Sequence, residues 1–453
     1  MPFSRWRASL AGLFALCASL SSTETATANS RIPASNQIIV DIGNPERVVL
    51  RTTFGALYSS DRGKNWYWLC EKALRYGGSQ DPMLAFTADG NIVGAAFEGL
   101  IHSERRDLCN VKIAEGDLTD KHFIDLTSRR AERANILALT GAYSETLPDG
   151  GFAYDSDIYR SVDNGITFAR VGQKLDRSVT FQTIDVAPSN PLRVYLSGTR
   201  GVGPSRTGVV FTSNDGGQTF TEAPFPLVPM SEYAPYIAGV HPLDPDILYV
   251  RTSGPAAAPS RLLRSADAGK TFAVVLAFQG PMEGFALNSD GTRVWAGGTA
   301  DRLHVASTSD HRFERISDVQ VQCLTWEAPE LWLCSNESTG FIAGRSTDEG
   351  RTFEPLLKFR GIRGPLACPS SSVGATCQNE WGALKESLGI PDEARDGGAK
   401  FDAGNGGDST TGSLGGGGCQ VQGPATGTLA LSGLLLATLA FFRRRNRPSR
   451  AAR

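Results

Sequence analysis

The chain has 453 residues, with 45 basic and 47 acidic side chains and a formal net charge of −2. That length suits one large domain or several ordinary ones. Residues 1–28 and 419–453 together hold eight of the basic residues and one of the acidic ones, so the segment between them has a net charge of −9. This balance argues against nucleic acid and anionic membrane surfaces as partners, because both are bound through basic surfaces.

The first 28 residues have the pattern of a secretory signal peptide. Arg5 and Arg7 supply the positive region, residues 8–20 form a short apolar core, and Ala26-Thr27-Ala28 provides small residues for cleavage after Ala28. The apolar core is too short for an ordinary membrane span. The sequence therefore predicts an exported protein.

Five segments of the remaining chain repeat one pattern, in which Ser-x-Asp-x-Gly is followed three positions later by an aromatic residue. Three consecutive aspartates of this series are spaced by 52 residues, and a period of that size indicates a repeat architecture. The members are Ser59, Asp61, Gly63 and Trp66; Ser161, Asp163, Gly165 and Phe168; Ser213, Asp215, Gly217 and Phe220; Ser265, Asp267, Gly269 and Phe272; and Ser346, Asp348, Gly350 and Phe353.

Short β-rich runs separated by Pro, Gly, Asn and Asp surround each copy and predict four strands per repeat. Asp61 and Asp163 are 102 residues apart, and Asp267 and Asp348 are 81 apart, so each interval holds a decayed copy, near Ser103 and near Phe313. Four-stranded units repeated in this way are typical of a β-propeller. Residues 29–366 are therefore predicted to form an all-β, seven-bladed propeller with antiparallel blades, six or eight blades being the alternatives. The strand at 37–40 is expected to lie beside the last repeat and close the ring.

The repeated motif resembles the Asp-box, or BNR repeat, of sialidases, sortilin-type receptors, xyloglucanases and photosystem assembly propellers. Its residue types suit a tight turn, because the carboxylate accepts backbone N–H groups and Gly adopts positive φ. The resemblance implies a turn on the outer rim, away from the face that binds ligands. The repeated aspartates are accordingly interpreted as structural, and no catalytic residue is assigned to them.

Six cysteines remain once Cys17 and Cys419 are set aside with the two ends, and in an oxidising compartment disulfides are expected. Six cysteines allow 15 arrangements. Proximity in sequence favours Cys323 with Cys334 across a hairpin, Cys368 with Cys377 across a small loop, and Cys70 with Cys109. A zinc site is the alternative, but the chain has no Cys-x-x-Cys or His pair to support it. No metal and no cofactor is predicted.

The C-terminal quarter divides into three segments. Residues 367–395 are predicted to hold a short amphipathic helix at 379–388, stapled by a disulfide, and residues 396–418 have the composition of a Gly-rich linker. Residues 419–453 begin with Cys419, continue with an apolar transmembrane stretch at 425–442 and end with an Arg-rich tail. This last segment is similar to the MYXO-CTERM sorting signal, which implies processing near Cys419 by a sorting peptidase and transfer to the cell surface or outer membrane. A plain single-span anchor is the alternative.

Two sets of residues are candidates for a ligand-binding face. Arg51, Arg200 and Arg251 fall at comparable places in their repeats and would suit a carboxylate ligand, as in sialidases, although ordinary strand-end arginines bonded to a neighbouring acid or carbonyl are the favoured interpretation. Asp149, Asp155 and Asp157 cluster in the longest insertion, where they would suit glycoside hydrolysis or calcium, or a plain solvated loop. None of the five histidines has a catalytic or metal-binding spacing.

These observations favour a secreted, surface-anchored propeller that acts as a non-catalytic module binding an extracellular glycan or protein. The alternative is a glycoside hydrolase, sialidase-like or xyloglucanase-like, that uses acids or arginines on the axial face. An assembly factor similar to the photosystem propellers is a third reading. The identity of the ligand and the oligomeric state do not follow from the sequence.

Overall fold

The computed structural model describes residues 31–77, 81–114, 116–118, 121–147 and 151–391. The predicted signal peptide, Asp149, the Gly-rich linker, Cys419 and the predicted transmembrane stretch lie outside these residues. Within the described part of the chain, no helix is both long and apolar enough to cross a membrane.

Seven four-stranded antiparallel sheets follow one another along the chain, which confirms the predicted seven-bladed β-propeller. Their strands are, in blade 1, β1 (Ser35–Val40), β2 (Val48–Thr52), β3 (Gly55–Ser59) and β4 (Trp66–Leu69); in blade 2, β5 (Met83–Phe86), β6 (Ile92–Ala96), β7 (Gly99–Glu104) and β8 (Asp107–Ile113); in blade 3, β9 (Phe123–Arg129), β10 (Glu132–Thr140), β13 (Ile158–Ser161) and β14 (Ala169–Val171), with an inserted hairpin of β11 (Ala142–Thr146) and β12 (Phe152–Asp155); in blade 4, β15 (Val179–Val186), β16 (Val194–Arg200), β17 (Thr207–Ser213) and β18 (Thr221–Phe225); in blade 5, β19 (Ala234–Val240), β20 (Leu248–Ser253), β21 (Ser260–Ser265) and β22 (Ala273–Phe278); in blade 6, β23 (Gly284–Leu287), β24 (Arg293–Gly298), β25 (Arg302–Ser307) and β26 (Glu314–Ser317); and in blade 7, β27 (Cys323–Glu327), β28 (Glu330–Cys334), β29 (Ala343–Ser346) and β30 (Glu354–Leu357).

The first strand of every blade contacts the first strands of both neighbouring blades, so the seven inner strands form a closed ring. The second strands carry the densest core. Tyr195, Tyr249, Trp295 and Trp332 all lie on second strands and are completely buried. Because each sheet is covered on both faces by its neighbours, its central strands are largely buried, whereas an outer strand such as β22 is largely exposed.

Ring closure differs in part from the expectation. Strand β1 does lie beside the last repeat, where the Thr325 hydroxyl donates to the Ile38 carbonyl over 2.8 Å. It is, however, the inner strand of blade 1, hydrogen-bonded to β2 rather than to a strand of blade 7. A further strand, β31 (Ile362–Pro365), pairs in parallel with β4 and adds a fifth strand to the outer edge of blade 1. The ring is therefore closed by the contact of the first strand, β1, with blade 7 and by the pairing of the last strand, β31, with blade 1.

The three described disulfides confirm the cysteine bonding, but only one of the expected pairs. Cys323 pairs with Cys334 across the β27–β28 hairpin, as predicted. The expected Cys368–Cys377 and Cys70–Cys109 pairs are wrong, since Cys70 bonds Cys377 and Cys109 bonds Cys368. The cause is that the segment after β31 returns to blades 1 and 2, which brings the partners' Cα atoms to 5.3 Å and 5.5 Å.

That returning segment contains the predicted helix, α1 (Cys377–Ser387). The Trp381 ring packs against the Trp68 ring of blade 1 with 5.9 Å between their centroids. Leu384 and Leu388 are half-buried against the same core. The spacing of apolar residues thus predicted the helix correctly, and the disulfides hold it against blades 1 and 2.

Candidate functional site

Antiparallel blades give the propeller two different faces. We call the face that carries the turns between first and second strands, and between third and fourth strands, the turn face. The opposite face, called the loop face, carries the connections between second and third strands and those between blades. All five Ser-x-Asp-x-Gly segments join a third strand to a fourth strand, so they lie on the turn face.

The five turns share one hydrogen-bond pattern, shown here for blade 4. The buried Ser213 hydroxyl donates to the Asp215 carboxylate over 2.7 Å and accepts the Gly217 N–H over 2.8 Å. The Asp215 carboxylate also accepts the Thr219 N–H and hydroxyl over 2.9 Å and 2.5 Å. These bonds, that of the Thr219 side chain first, lower the pKa of Asp215 to about 2. A carboxylate so occupied is a poor candidate for proton transfer.

The backbone of these turns explains their glycines. In each turn two consecutive residues have positive φ, and in blade 4 these are Gly216 at 73° and Gly217 at 89°. The last residue of the pattern packs inward, and the Trp66 indole N–H donates to the Gly63 carbonyl over 2.8 Å. The four phenylalanines at the same place lie against their blades, namely Phe168, Phe220, Phe272 and Phe353.

The three arginines considered for a carboxylate ligand have different surroundings on the loop face. Arg51 pairs with Gln37 in the strand register and Arg251 pairs with Tyr236, so these two occupy equivalent positions of blades 1 and 5. Arg200 lies opposite Val179 at the end of its strand, and the Asp176 and Glu222 carboxylates bind its guanidinium.

Two of the clustered acids of the blade 3 insertion are held by arginines. The Arg177 guanidinium binds Asp155 over 3.0 Å, and the Arg170 guanidinium lies 3.5 Å from Asp157. No group of His, Cys, Asp and Glu side chains within the described ranges has the arrangement of a metal site. Both acids lie on the loop face, since they belong to the connection between the second and third strands of blade 3.

Side chains of the inner strands connect neighbouring blades around the axis, and the sequence offered no signal for them. Gln37 bonds the backbone of Leu84 in blade 2, and the Thr183 hydroxyl accepts the Ile237 N–H of blade 5 over 3.0 Å. In blade 3 the Asp125 carboxylate accepts the Ile184 N–H of blade 4 over 2.9 Å. Each connects a side chain of one blade to the main chain of the next.

Burial changes the pKa values of two acidic side chains on the inner strands. It raises the pKa of Asp125 to about 7 and that of Asp185 to about 6, against the opposing effect of the hydrogen bonds that both carboxylates accept. Asp185 accepts the Thr127 hydroxyl over 3.0 Å. Near-neutral carboxyl groups often mark functional sites. Here the carboxylates already bond the neighbouring blade, which favours a role in ring cohesion.

The inserted hairpin of β11 and β12 carries exposed aromatic side chains on the loop face. Tyr143 is 58% exposed and Phe152 is 43% exposed, and their ring centroids are 6.0 Å apart in an edge-to-face arrangement. Tyr154 lies 6.3 Å from Tyr143 on the same hairpin. Arg177 binds Ser144 over 2.7 Å and also the Asp155 carboxylate, which the strand alternation places on the other face of the hairpin from Phe152 and Tyr154. The sequence analysis noted the acids of this insertion and missed its aromatics.

An open cleft of about 480 Å³ lies between the returning C-terminal segment and the connection that follows blade 1. Its polar lining includes Lys72, Arg75, Ser370 and Asn379. Lys72 forms an ion pair with Glu380 over 2.5 Å, and the Arg75 Nε–H donates to the Val111 carbonyl over 3.2 Å. Its cations thus serve in part to hold α1 and blade 2 in place.

Comparison with known proteins supports the fold. No protein-family model matches the chain, and neither does any curated protein sequence. Among solved structures, an ancestral GH74 enzyme is similar with a TM-score of 0.51 and 14% identity, over 71% of this chain and 46% of that one. The chain therefore spans about half the length of that structure. At this identity the likeness shows the fold alone.

Two further solved structures are similar at lower scores. The extracellular domain of a hybrid two-component system from B. thetaiotaomicron has a TM-score of 0.44 and 12% identity, over 67% of this chain and 37% of that one. The GH74 xyloglucanase of Xanthomonas campestris has a TM-score of 0.26 and 12% identity, over 72% of this chain and 71% of that one. Scores below 0.5 carry no argument about function. The class that fold and comparisons define is a disulfide-bonded β-propeller, and such bonding is typical of exported proteins.

Proposed function

We propose that this propeller is a non-catalytic binding module for an extracellular ligand, a glycan in the first place, and that it binds through its loop face. The observation that carries the proposal is the exposed aromatic hairpin of blade 3. Single exposed aromatic side chains are common, whereas a cluster of them marks an interaction site, and a tyrosine suits recognition because its ring is apolar and its hydroxyl polar. A sugar ring presents a C–H face and a hydroxyl rim, which complements the Tyr143 and Phe152 rings and the Tyr143 hydroxyl. A protein partner is the other outcome.

The state of the acids supports binding rather than hydrolysis. Glycosidases of the common type need two carboxyl groups across a cleft, one of them free to donate a proton. The acids Asp155 and Asp157 are engaged by arginines, and Asp125 and Asp185 bond the neighbouring blade. The alternative, a sialidase-like or xyloglucanase-like hydrolase, would require one of these acids to leave its present partner.

We propose further that the five turns are Asp-boxes and that the protein is exported, sorted through Cys419 and displayed at the cell surface. The hydrogen bonds of the turns support the first part, and the three disulfides support export. Mass spectrometry of the mature surface protein tests the sorting step. An intact C-terminus on that protein would contradict processing near Cys419.

A binding and hydrolysis screen of the purified protein with soluble oligosaccharides tests the main proposal. Binding without release of reducing ends is expected, and the double variant Tyr143→Ala with Phe152→Ala should weaken it about tenfold, since about 60 Å² of lost apolar contact at about 25 cal/mol per Å² corresponds to about 1.4 kcal/mol. Tyr67→Ala is the matched control, because Tyr67 is 36% exposed on the outer strand of blade 1. Product formation, or equal losses in both variants, would argue against the proposed module.

A further inference from the structure

Arg251 differs from its counterpart in blade 1 in a way that points to a ligand. The two arginines occupy the same register, since Arg51 lies opposite Gln37 and Arg251 lies opposite Tyr236. The Arg51 guanidinium donates to the Asn36 side chain over 2.8 Å and to the Pro82 carbonyl over 2.9 Å. Arg51 is thereby satisfied inside the protein.

The Arg251 guanidinium has no hydrogen-bonded acceptor among the described residues. The strand register explains this, because blade 1 has an extra bulged residue, Asn36, beside its arginine, whereas in blade 5 Pro235 pairs directly with Thr252 and no such residue is present. The main-chain carbonyl of Pro235 is already bonded by the Ser197 hydroxyl over 2.9 Å. The Arg251 guanidinium lies instead over the Tyr236 ring, 4.8 Å from its centroid.

The charge of Arg251 is also poorly compensated. Burial lowers the pKa of Arg251, which Tyr236 and Glu283 oppose only in part. Burial likewise raises the pKa of Glu283, and its carboxyl is already bonded to Thr299. A desolvated guanidinium without an ion pair is unfavourable, and a bidentate anion such as a carboxylate would relieve it.

A second arginine–tyrosine stack lies immediately before β19. The Arg206 guanidinium is 4.8 Å from the centroid of the Tyr233 ring, and no side-chain acceptor for it occurs in the described ranges. Tyr233 is 44% exposed and immediately precedes β19, which contains Tyr236. Side chains alternate along an extended chain, so Tyr233 and Tyr236, three positions apart, point to opposite faces, and the Arg206–Tyr233 stack lies outside the Arg251 site.

We infer that the loop-face end of β19 and β20 is a subsite for a carboxylated sugar, in which Arg251 binds the carboxylate and Tyr236 contacts the same sugar. The inference rests on the proposed glycan-binding function and names its ligand class. The carboxylate of the sugar gives Arg251 the hydrogen-bond acceptors that the Asn36 side chain and the Pro82 carbonyl give Arg51. Binding of the carboxylated sugar depends on the Arg251 site and not on the overall charge. Residues 29–418 have a net charge of −9 and do not attract polyanions as a whole.

Titration of the full-length protein with tri-galacturonic acid and with its methyl ester tests the inference by calorimetry. The acid should bind at least about tenfold more tightly than the ester, as expected for a charge-assisted hydrogen bond. Arg251→Gln should abolish that preference. Arg293→Gln is the matched control and should retain it, since Arg293 lies on the turn-face end of β24, 3.9 Å from Glu349.

Thermal unfolding of two equivalent variants provides a second measurement. Arg51→Gln should lower the melting temperature because it removes hydrogen bonds, whereas Arg251→Gln should leave it unchanged or raise it. Equal affinity for acid and ester, or an acid preference that survives in Arg251→Gln, would overturn the carboxylate subsite. If neutral oligosaccharides still bind in that case, the proposed glycan-binding function stands. If no glycan binds at all, the glycan-binding function and the subsite both fail.

Discussion

Ser213→Ala tests whether the repeated turn depends on its buried hydroxyl. Ser213 is completely buried, and its hydroxyl joins the Gly217 N–H to the Asp215 carboxylate. The alanine variant leaves the buried Gly217 N–H without an acceptor, which costs about 1–3 kcal/mol. Asp215 keeps its bonds to Thr219, so the loss should be confined to the turn. We expect the free energy of unfolding to fall by about 2 kcal/mol, and the melting temperature to fall by about 2–3 °C for a domain of this size.

Equilibrium denaturation in guanidinium chloride measures this loss. The matched control is Ser309→Ala in the decayed turn of blade 6, where exposed Ser309 bonds the Ser307 hydroxyl over 2.9 Å. A surface change of this kind should alter the free energy of unfolding by less than about 0.5 kcal/mol. If Ser213→Ala were as mild as Ser309→Ala, the buried hydroxyl would not stabilise the turn and the reasoning would be refuted.

Three further predictions concern the turns, the ring and the returning segment. Ala268 has a φ of 62°, so Ala268→Gly should raise the free energy of unfolding by roughly 0.5–1 kcal/mol; a lower melting temperature would contradict this. Burial raises the pKa of Asp125 to about 7, so the native state binds more protons than the unfolded state between about pH 4 and 7. Stability from this group is therefore lost as the pH rises, and wild type should gain stability relative to Asp125→Asn between pH 8 and pH 5 in thermal melts; a constant difference would count against it. Replacing Cys109 and Cys368 together by Ser should lower the free energy of unfolding by about 3 kcal/mol, and an unchanged denaturation midpoint would show that the bond does not restrain the fold.

Local repetition made the propeller predictable from sequence. Each turn copy specifies its own hydrogen bonds within eight residues, so the five clear copies and their spacing were enough to locate two decayed blades. The turn of blade 6 shows how far the motif can change without loss of the blade. His311 adopts a φ of 53° there, where the clear copies use Gly, and the strands on either side still form.

Long-range contacts were not predictable in the same way. The wrong disulfide pairs arose because closeness in sequence was used where closeness in space decides, and nothing local shows that Cys377 lies beside Cys70. Arg200 was grouped with Arg51 and Arg251 because the three fall at comparable places in their repeats, whereas strand register separates Arg200 from the other two. Asp125 gave no signal because its function depends on the backbone of another blade.

The Cys70–Cys377 bond turns most of the propeller into a covalent circle. The backbone from residue 70 to residue 377 and this disulfide form one closed ring that contains blades 2 to 7. A protease that cuts a single peptide bond inside this ring leaves the molecule in one piece, and the Cys109–Cys368 bond adds a second link across it. The molecule can therefore survive a single cut in its exposed loops without losing a blade.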